Sequence, residues 1–234
     1  METKDPKPVI SARSLSRIYP LGDRKVVGIC RVDLTIPAGE LVVLKGNSGS
    51  GKSTLLSLLA GLDRATEGDL NVSGFDLNKS DAAALTRFRR EVIGMVFQTF
   101  NLLPTLNVLE NVCLPALLAG RSFSTTRRKA QDLLSWLALS DRLDHLPAQL
   151  SGGEMQRTAI ARALINDPAV ILADEPTGNL DSRNGRRVIE LLAELNRKWG
   201  RTVMIATHSD LADPFSTLTI RLEDGRVAND PCRL

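Results

Sequence analysis

The chain has 234 residues, 43% of them hydrophobic, enough for one large domain or two small ones around a substantial core. Lys and Arg number 30 against 27 Asp and Glu, and the resulting net charge of +3 gives no reason to expect a nucleic-acid partner. Cys30, Cys113 and Cys232 form no CxxC pair and are odd in number, which argues against a disulfide framework and a zinc site and leaves reduced thiols as the expectation.

From the start of the chain, Met1–Pro8 alternates charge and proline without an apolar run, so no secretory signal is expected. The longest apolar stretches, such as Val112–Ala119 with Pro115 inside it, fall short of the roughly 20 residues that cross a bilayer, so membrane association should come through a partner. Short β-branched or Leu-rich runs recur at Leu41–Leu44, Ile93–Val96, Val170–Ala173 and Val203–Ala206, with amphipathic stretches between them. This alternation predicts an α/β fold with a mostly parallel core sheet. Ala130, Leu133, Leu134 and Leu137, and later Val188, Leu191, Leu192, Leu195 and Trp199, recur at helical spacing and predict core-facing helices. Strand signals thin out between about Ala84 and Leu164, which implies an inserted helical lobe. The expectation is a single domain over 1–234, with a core lobe at about 1–86 and 164–234 and a helical lobe at about 87–163. Asp224-Gly225 between two short runs is a type I′ hairpin signal, so a small antiparallel β element should close the chain, with no room after it for a regulatory domain.

The run Leu41-Val-Val-Leu-Lys-Gly46-Asn47-Ser48-Gly49-Ser50-Gly51-Lys52-Ser53-Thr54 reads as a strand, a GxxxxGKS loop and a helix start. Gly46, Gly49 and Gly51 let backbone N–H groups turn inward around phosphate oxygens, and the following helix points its positive end at the same anion. Lys52 can then reach the β- and γ-phosphates and the Ser53 hydroxyl can ligate Mg²⁺. Such a site needs a carboxylate at the C-terminal end of a buried strand, and Ala169-Val-Ile-Leu-Ala-Asp174-Glu175-Pro176 supplies two. Asp174 fits as the residue that organises Mg²⁺, and Glu175 as the base that orients or deprotonates water.

A second Gly-rich helix start, Leu150-Ser151-Gly152-Gly153-Glu154-Met155-Gln156-Arg157, lies roughly a hundred residues on. Taken alone it is a weak signal, equally readable as an ordinary helix cap. Followed by Ala173-Asp-Glu-Pro-Thr-Gly178-Asn179-Leu180-Asp181, however, it resembles the signature motif, Walker B strand and D-loop of the ATP-binding-cassette (ABC) ATPases. The resemblance covers about Ile10 to Val227. It implies a P-loop NTPase of the ABC nucleotide-binding type, hydrolysing ATP with Mg²⁺ in a head-to-tail homodimer. In that arrangement Ser151, Gly152, Gly153, Glu154 and Asp181 contact the ATP held by the other copy. The resemblance further matches Tyr19 to the aromatic that stacks on adenine, Gln98 to the glutamine that senses Mg²⁺ and water, and His208 to the switch histidine on the γ-phosphate.

Within the family, Phe97-Gln98-Thr-Phe100-Asn101-Leu102-Leu103-Pro104-Thr105-Leu106 looks most like the lipoprotein-release and macrolide-export group (LolD and MacB type), with the cell-division ATPase FtsE nearby. Departures are Asn47 after the first loop glycine, Met155 in the signature helix and Ser209 after the histidine; none falls on a catalytic position. The group implies a cytoplasmic subunit held at the inner membrane face by integral membrane permease subunits. Phe100, Leu102, Leu103 and Leu106 form the expected contact. An FtsE-like regulator that gates a cell-wall hydrolase without transport is the alternative. Arg87-Phe-Arg89-Arg90 and Arg127-Arg128-Lys129 read as solvated helix faces without a role.

Overall fold

The computed structural model describes residues 8–22 and 24–228. Cys232 and residues 1–7 of the N-terminal stretch discussed above lie outside them. A six-stranded sheet runs in the order β10 (Arg226–Val227), β9 (Leu218–Glu223), β3 (Leu41–Lys45), β8 (Thr202–Ala206), β7 (Val170–Asp174), β6 (Ile93–Val96). Every pairing is parallel except that of β10 with β9. Its central strands are unbroken apolar runs because both faces are covered.

Leu41, Val43, Ile171, Ala173, Val203 and Ile205 face one core, with α3 (Val108–Leu118), α4 (Phe123–Trp136), α5 (Gly152–Leu164) and α6 (Ser182–Trp199). Val42, Leu44, Val170, Leu172, Met204 and Ala206 face a second core, with α1 (Lys52–Leu59), α2 (Ala82–Glu91) and a four-stranded antiparallel sheet. That sheet is ordered β2 (Arg24–Ile36), β1 (Ile10–Leu21), β4 (Glu67–Val72), β5 (Phe75–Asp76). The architecture is therefore three-layered, with the parallel sheet between the two cores.

Three details depart from the pattern expected of the sequence. β6 forms on the expected strand run Ile93–Val96 and pairs with β7, but it lies inside the span 87–163 given to the helical lobe, whose helices start after it. Trp199 is 40% exposed rather than core-facing, because it ends α6 and stacks on Trp136 at 5.0 Å between ring centres. The antiparallel sheet is larger than the terminal β element. That element does form: Asp224 (φ 49°) and Gly225 (φ 77°) both take the left-handed conformation a type I′ turn requires.

The parallel arrangement brings the C-terminal ends of β3, β6, β7 and β8 to one edge of the sheet. Ligands of open α/β sheets bind at this edge. Gly46, Gln98, Glu175 and His208 follow those four ends directly or within two residues.

Candidate functional site

The loop after β3 folds as a cradle. Gly46 sits at φ 157° and a Cβ there would overlap the Leu222 carbonyl and the Ser50 hydroxyl; at Gly51 (φ 100°) it would overlap the Gly28 carbonyl. Only glycine fits either position. Gly51 is also the N-cap of α1 and offers no side-chain cap, so the first amides of the helix are left for an external acceptor. Lys52, 7% exposed, donates from Nζ to Gly46 O (2.8 Å) and Asn47 O (3.1 Å) and lies 3.7 Å from Glu175 Oε1. The ammonium is thus held on the cradle by the loop's own carbonyls.

Beyond the cradle opens a cavity of about 750 Å³, walled by Asn47, Ser48, Gly49 and Gly51–Thr54, by Gln98, Glu175 and His208, and by Tyr19 with Val26–Gly28. Gly46 and Ser50 support the loop from behind instead of lining it; Ser50 is buried and its hydroxyl has no partner. Asp174 ends β7 with one carboxylate oxygen, Oδ1, buried and unpaired. Burial raises its pKa, as does the neighbouring Glu175 charge, against a hydrogen bond from Ser53 and the charge of Lys52. A buried carboxylate with an orphaned oxygen beside a hydroxyl calls for a cation, and this oxygen-donor set suits a hard one such as Mg²⁺.

Glu175 takes φ 44°, unusual for a side-chain-bearing residue. Its amide donates to Ala206 O (2.9 Å) and its carbonyl accepts from Gly178 N (3.0 Å), so β8 and the following turn hold the strain. The consequence is a carboxylate aimed into the cavity, 3.1 Å from His208 Nδ1. Gln98 closes the same wall; a Cβ on Gly178 would come within 2.6 Å of its Nε2, so that glycine makes room for it. On the opposite wall Tyr19 donates its hydroxyl to Asp63 (2.8 Å), which also accepts from Arg17 (2.8 Å), and the Arg17 guanidinium lies 4.4 Å from the ring centre. The ring is fixed beside the half-exposed Val26 and Val27.

The second cradle stands apart: neither 151–154 nor Asp181 lines this cavity. Ser151 and Glu154 form a reciprocal capping box on α5, and two bonds from Ser151 plus one from Arg142 hold the Glu154 pKa down to about 2. Asp181 caps α6 through Asn184 N (2.9 Å) and Asn184 Nδ2 (2.6 Å). Gly153 packs so closely on Asn184 that a Cβ would overlap its Oδ1, which joins the two helix starts into one unit.

The loop 100–106 is braced by residues that the sequence pattern does not single out. Phe100 and Asn101 both take positive φ, and Arg162 donates to both of their carbonyls. Buried Asn111 bonds to Leu103 N, Leu103 O and Leu106 O. Leu103 is 44% exposed, whereas Phe100, Leu102 and Leu106 are half-buried. Beside the loop lies a largely apolar groove of about 350 Å³, and Arg89 and Arg90, expected to be solvated face residues, stand on its wall with Arg162. A lone Asn in the apolar stretch 108–118 is the one signal that could have revealed the brace.

A family profile described as ABC transporter matches residues 29–178. The chain belongs to the ABC transporter family. It is 47% identical over 221 residues to the macrolide export ATP-binding/permease protein MacB of Rhodopseudomonas palustris, covering 94% of this chain and 34% of that protein. The chain therefore spans about a third of the length of its MacB relatives. It is 44% identical over 222 residues to the uncharacterized ABC transporter ATP-binding protein YbbA of Escherichia coli, covering 95% and 97% of the two. Among solved structures, the dimeric bacterial ABC transporter cassette MJ0796 superposes with a TM-score of 0.88 at 42% identity, covering 94% of this chain and 97% of that one. A second dimeric structure of that cassette holds ADP and Pi in a post-hydrolysis state. The fold is thus that of the ABC cassette.

Proposed function

We propose that this chain is the ATP-hydrolysing subunit of a membrane export machine, working as a head-to-tail homodimer. The observation that carries the reading is the convergence of Lys52, Glu175 and His208 on one cavity whose floor is a glycine cradle. In this reading the amides of 47–54 and Lys52 bind the triphosphate, and Tyr19 with Val26 and Val27 takes the adenine. Ser53, Asp174 and Gln98 would hold Mg²⁺, which would supply positive charge against the phosphate oxygens. Glu175 accepts a proton from the attacking water, and His208 orients Glu175 and meets the γ-phosphate.

The unit formed by Ser151–Glu154 and Asp181 caps the phosphates held by a second copy. Its position away from the chain's own cavity supports that reading, as do the dimeric structures of MJ0796. No helix of the described residues is long and apolar enough to cross a membrane. We place the chain on the cytoplasmic face, held by permease subunits through Phe100, Leu102, Leu103 and Leu106 and the adjoining groove. Fusion of the matching region to a permease in the MacB relatives supports this. Mixing the purified chain with Mg-ATP tests the core of the proposal: phosphate release should accompany a shift from monomer to dimer on a sizing column. Absence of both phosphate release and dimer formation, with the permease also supplied, would overturn it.

A further inference from the structure

Lys45 is the last residue of β3, and the next residue opens the phosphate cradle. Its side chain is 12% exposed and does not turn to solvent. Nζ donates to Ser209 O (2.8 Å) and Asp210 Oδ1 (2.8 Å) and lies 2.8 Å from Asp213 Oδ1, so three acceptors match the three N–H groups of an ammonium. Burial alone would lower its pKa; the bonds to Asp210 and Asp213 outweigh this and raise it, so the group stays charged. All three acceptors belong to the five residues after His208. On the other side of that histidine, Thr207 N donates to Leu44 O (3.1 Å). His208 is itself 72% exposed, and its ring is held by Glu175. Its place over the cavity is therefore set by flanking backbone, fixed before it by Leu44 and after it by Lys45.

We propose that Lys45 is a positioning residue that fixes His208 over the cradle and links movement of the cradle to movement of that histidine. Because Lys45 and Gly46 are adjacent, a shift of the loop around phosphate pulls on the 209–213 segment through a charged, fully used ammonium. The inference rests on the role given to His208 above.

The test compares steady-state Mg-ATP hydrolysis by Lys45→Met, His208→Ala and the double variant, together with imidazole NMR spectra. Only two histidines, His145 and His208, contribute to those spectra. Lys45→Met should lower kcat about tenfold with little change in KM, a displacement smaller than the full ångström that costs about a hundredfold. It should move the His208 resonances and leave those of His145 in place. In the His208→Ala background it should cost less than about twofold, since the two residues act as one unit. Asp210→Asn with Asp213→Asn, both exposed positions, should reproduce part of the loss and guards against a folding defect of the β3 variant; Lys45→Arg should restore part of it. If His208→Ala hydrolyses ATP normally, the role of His208 fails and this inference with it. If His208→Ala is impaired but Lys45→Met is silent, leaves the His208 resonances unmoved, or multiplies fully in the double variant, Lys45 is only a structural anchor.

Discussion

Replacing Glu175 with Gln separates chemistry from binding more cleanly than any other change in this site. The amide keeps the size of the carboxylate, an acceptor for His208 and Lys52, and the backbone bonds to Ala206 and Gly178 that hold φ at 44°. What disappears is the base proposed above, whose contribution is about 10²–10⁴-fold, or about 2.7–5.4 kcal/mol of barrier. Binding should move the other way. At 3.7 Å and an effective dielectric of about 20, the Glu175–Lys52 attraction is about 4.5 kcal/mol before desolvation, so the Gln variant frees Lys52 for phosphate. Affinity for ATP is then expected to hold or tighten while single-turnover hydrolysis, followed by rapid quench, falls at least a hundredfold. Hydrolysis within about threefold of the parent, measured on protein that still binds nucleotide, would remove Glu175 from the chemistry and refute the reasoning.

Other outcomes follow from the same geometry. Gly153→Ala displaces Asn184 from Asp181 and loosens the cap of α6; an N-cap is worth about 1 kcal/mol, so ATP-dependent dimer formation should weaken about fivefold by analytical ultracentrifugation while nucleotide binding to the monomer is unchanged. Leu103→Asp, at an exposed site in a loop that Asn111 and Arg162 keep rigid, should abolish co-purification with the permease and spare basal hydrolysis; retention of both would move the contact elsewhere. The pKa of Glu154 is depressed from 4.5 to about 2, so its folded-state interactions stabilise the protein above pH 4.5 and are lost as pH falls through 2. Urea midpoints of Glu154→Gln and parent should accordingly differ by a constant amount at neutral pH and converge between those two values.

The parts of this site that could be read in advance are those whose chemistry demands particular residue types in an unbroken run. A cradle needs glycines at fixed positions and a lysine at its end, so 46–54 announces itself, and a strand-end carboxylate pair does the same at 174–175. The antiparallel sheet does not. β1 and β2 have 12 and 13 residues, but bulges between Ala12 and Leu15 and between Leu15 and Arg17 break the two-residue alternation that identifies a half-buried strand. Val26, Val27 and Gly28 reach the cavity only through that sheet, so no local signal marks them. Arg89, Arg90 and Arg162 share a groove for a similar reason: they come from α2 and α5, and only the packing of those helices around β6 brings them together. Nothing local marks Lys45 either, because its meaning depends on a loop more than 160 residues away.

The anion capture proposed for the second cradle poses an electrostatic problem that the fold resolves locally. The N-terminus of α5 can attract phosphate through its free amides, yet it carries Glu154, which its low pKa keeps ionised throughout the physiological range. An uncompensated carboxylate there would repel a triphosphate more strongly than the helix end attracts it. Arg142 Nε sits 2.9 Å from Glu154 Oε1, and the other oxygen is engaged by Ser151 N and Oγ at 2.8 Å. The charge is thereby paired and drawn back against its own capping residue. What the helix presents outward is its start at Ser151 and Gly152, while Gly153 is buried against Asn184. The glutamate stiffens the cap and the arginine cancels its charge, which leaves the helix end positive toward an approaching phosphate.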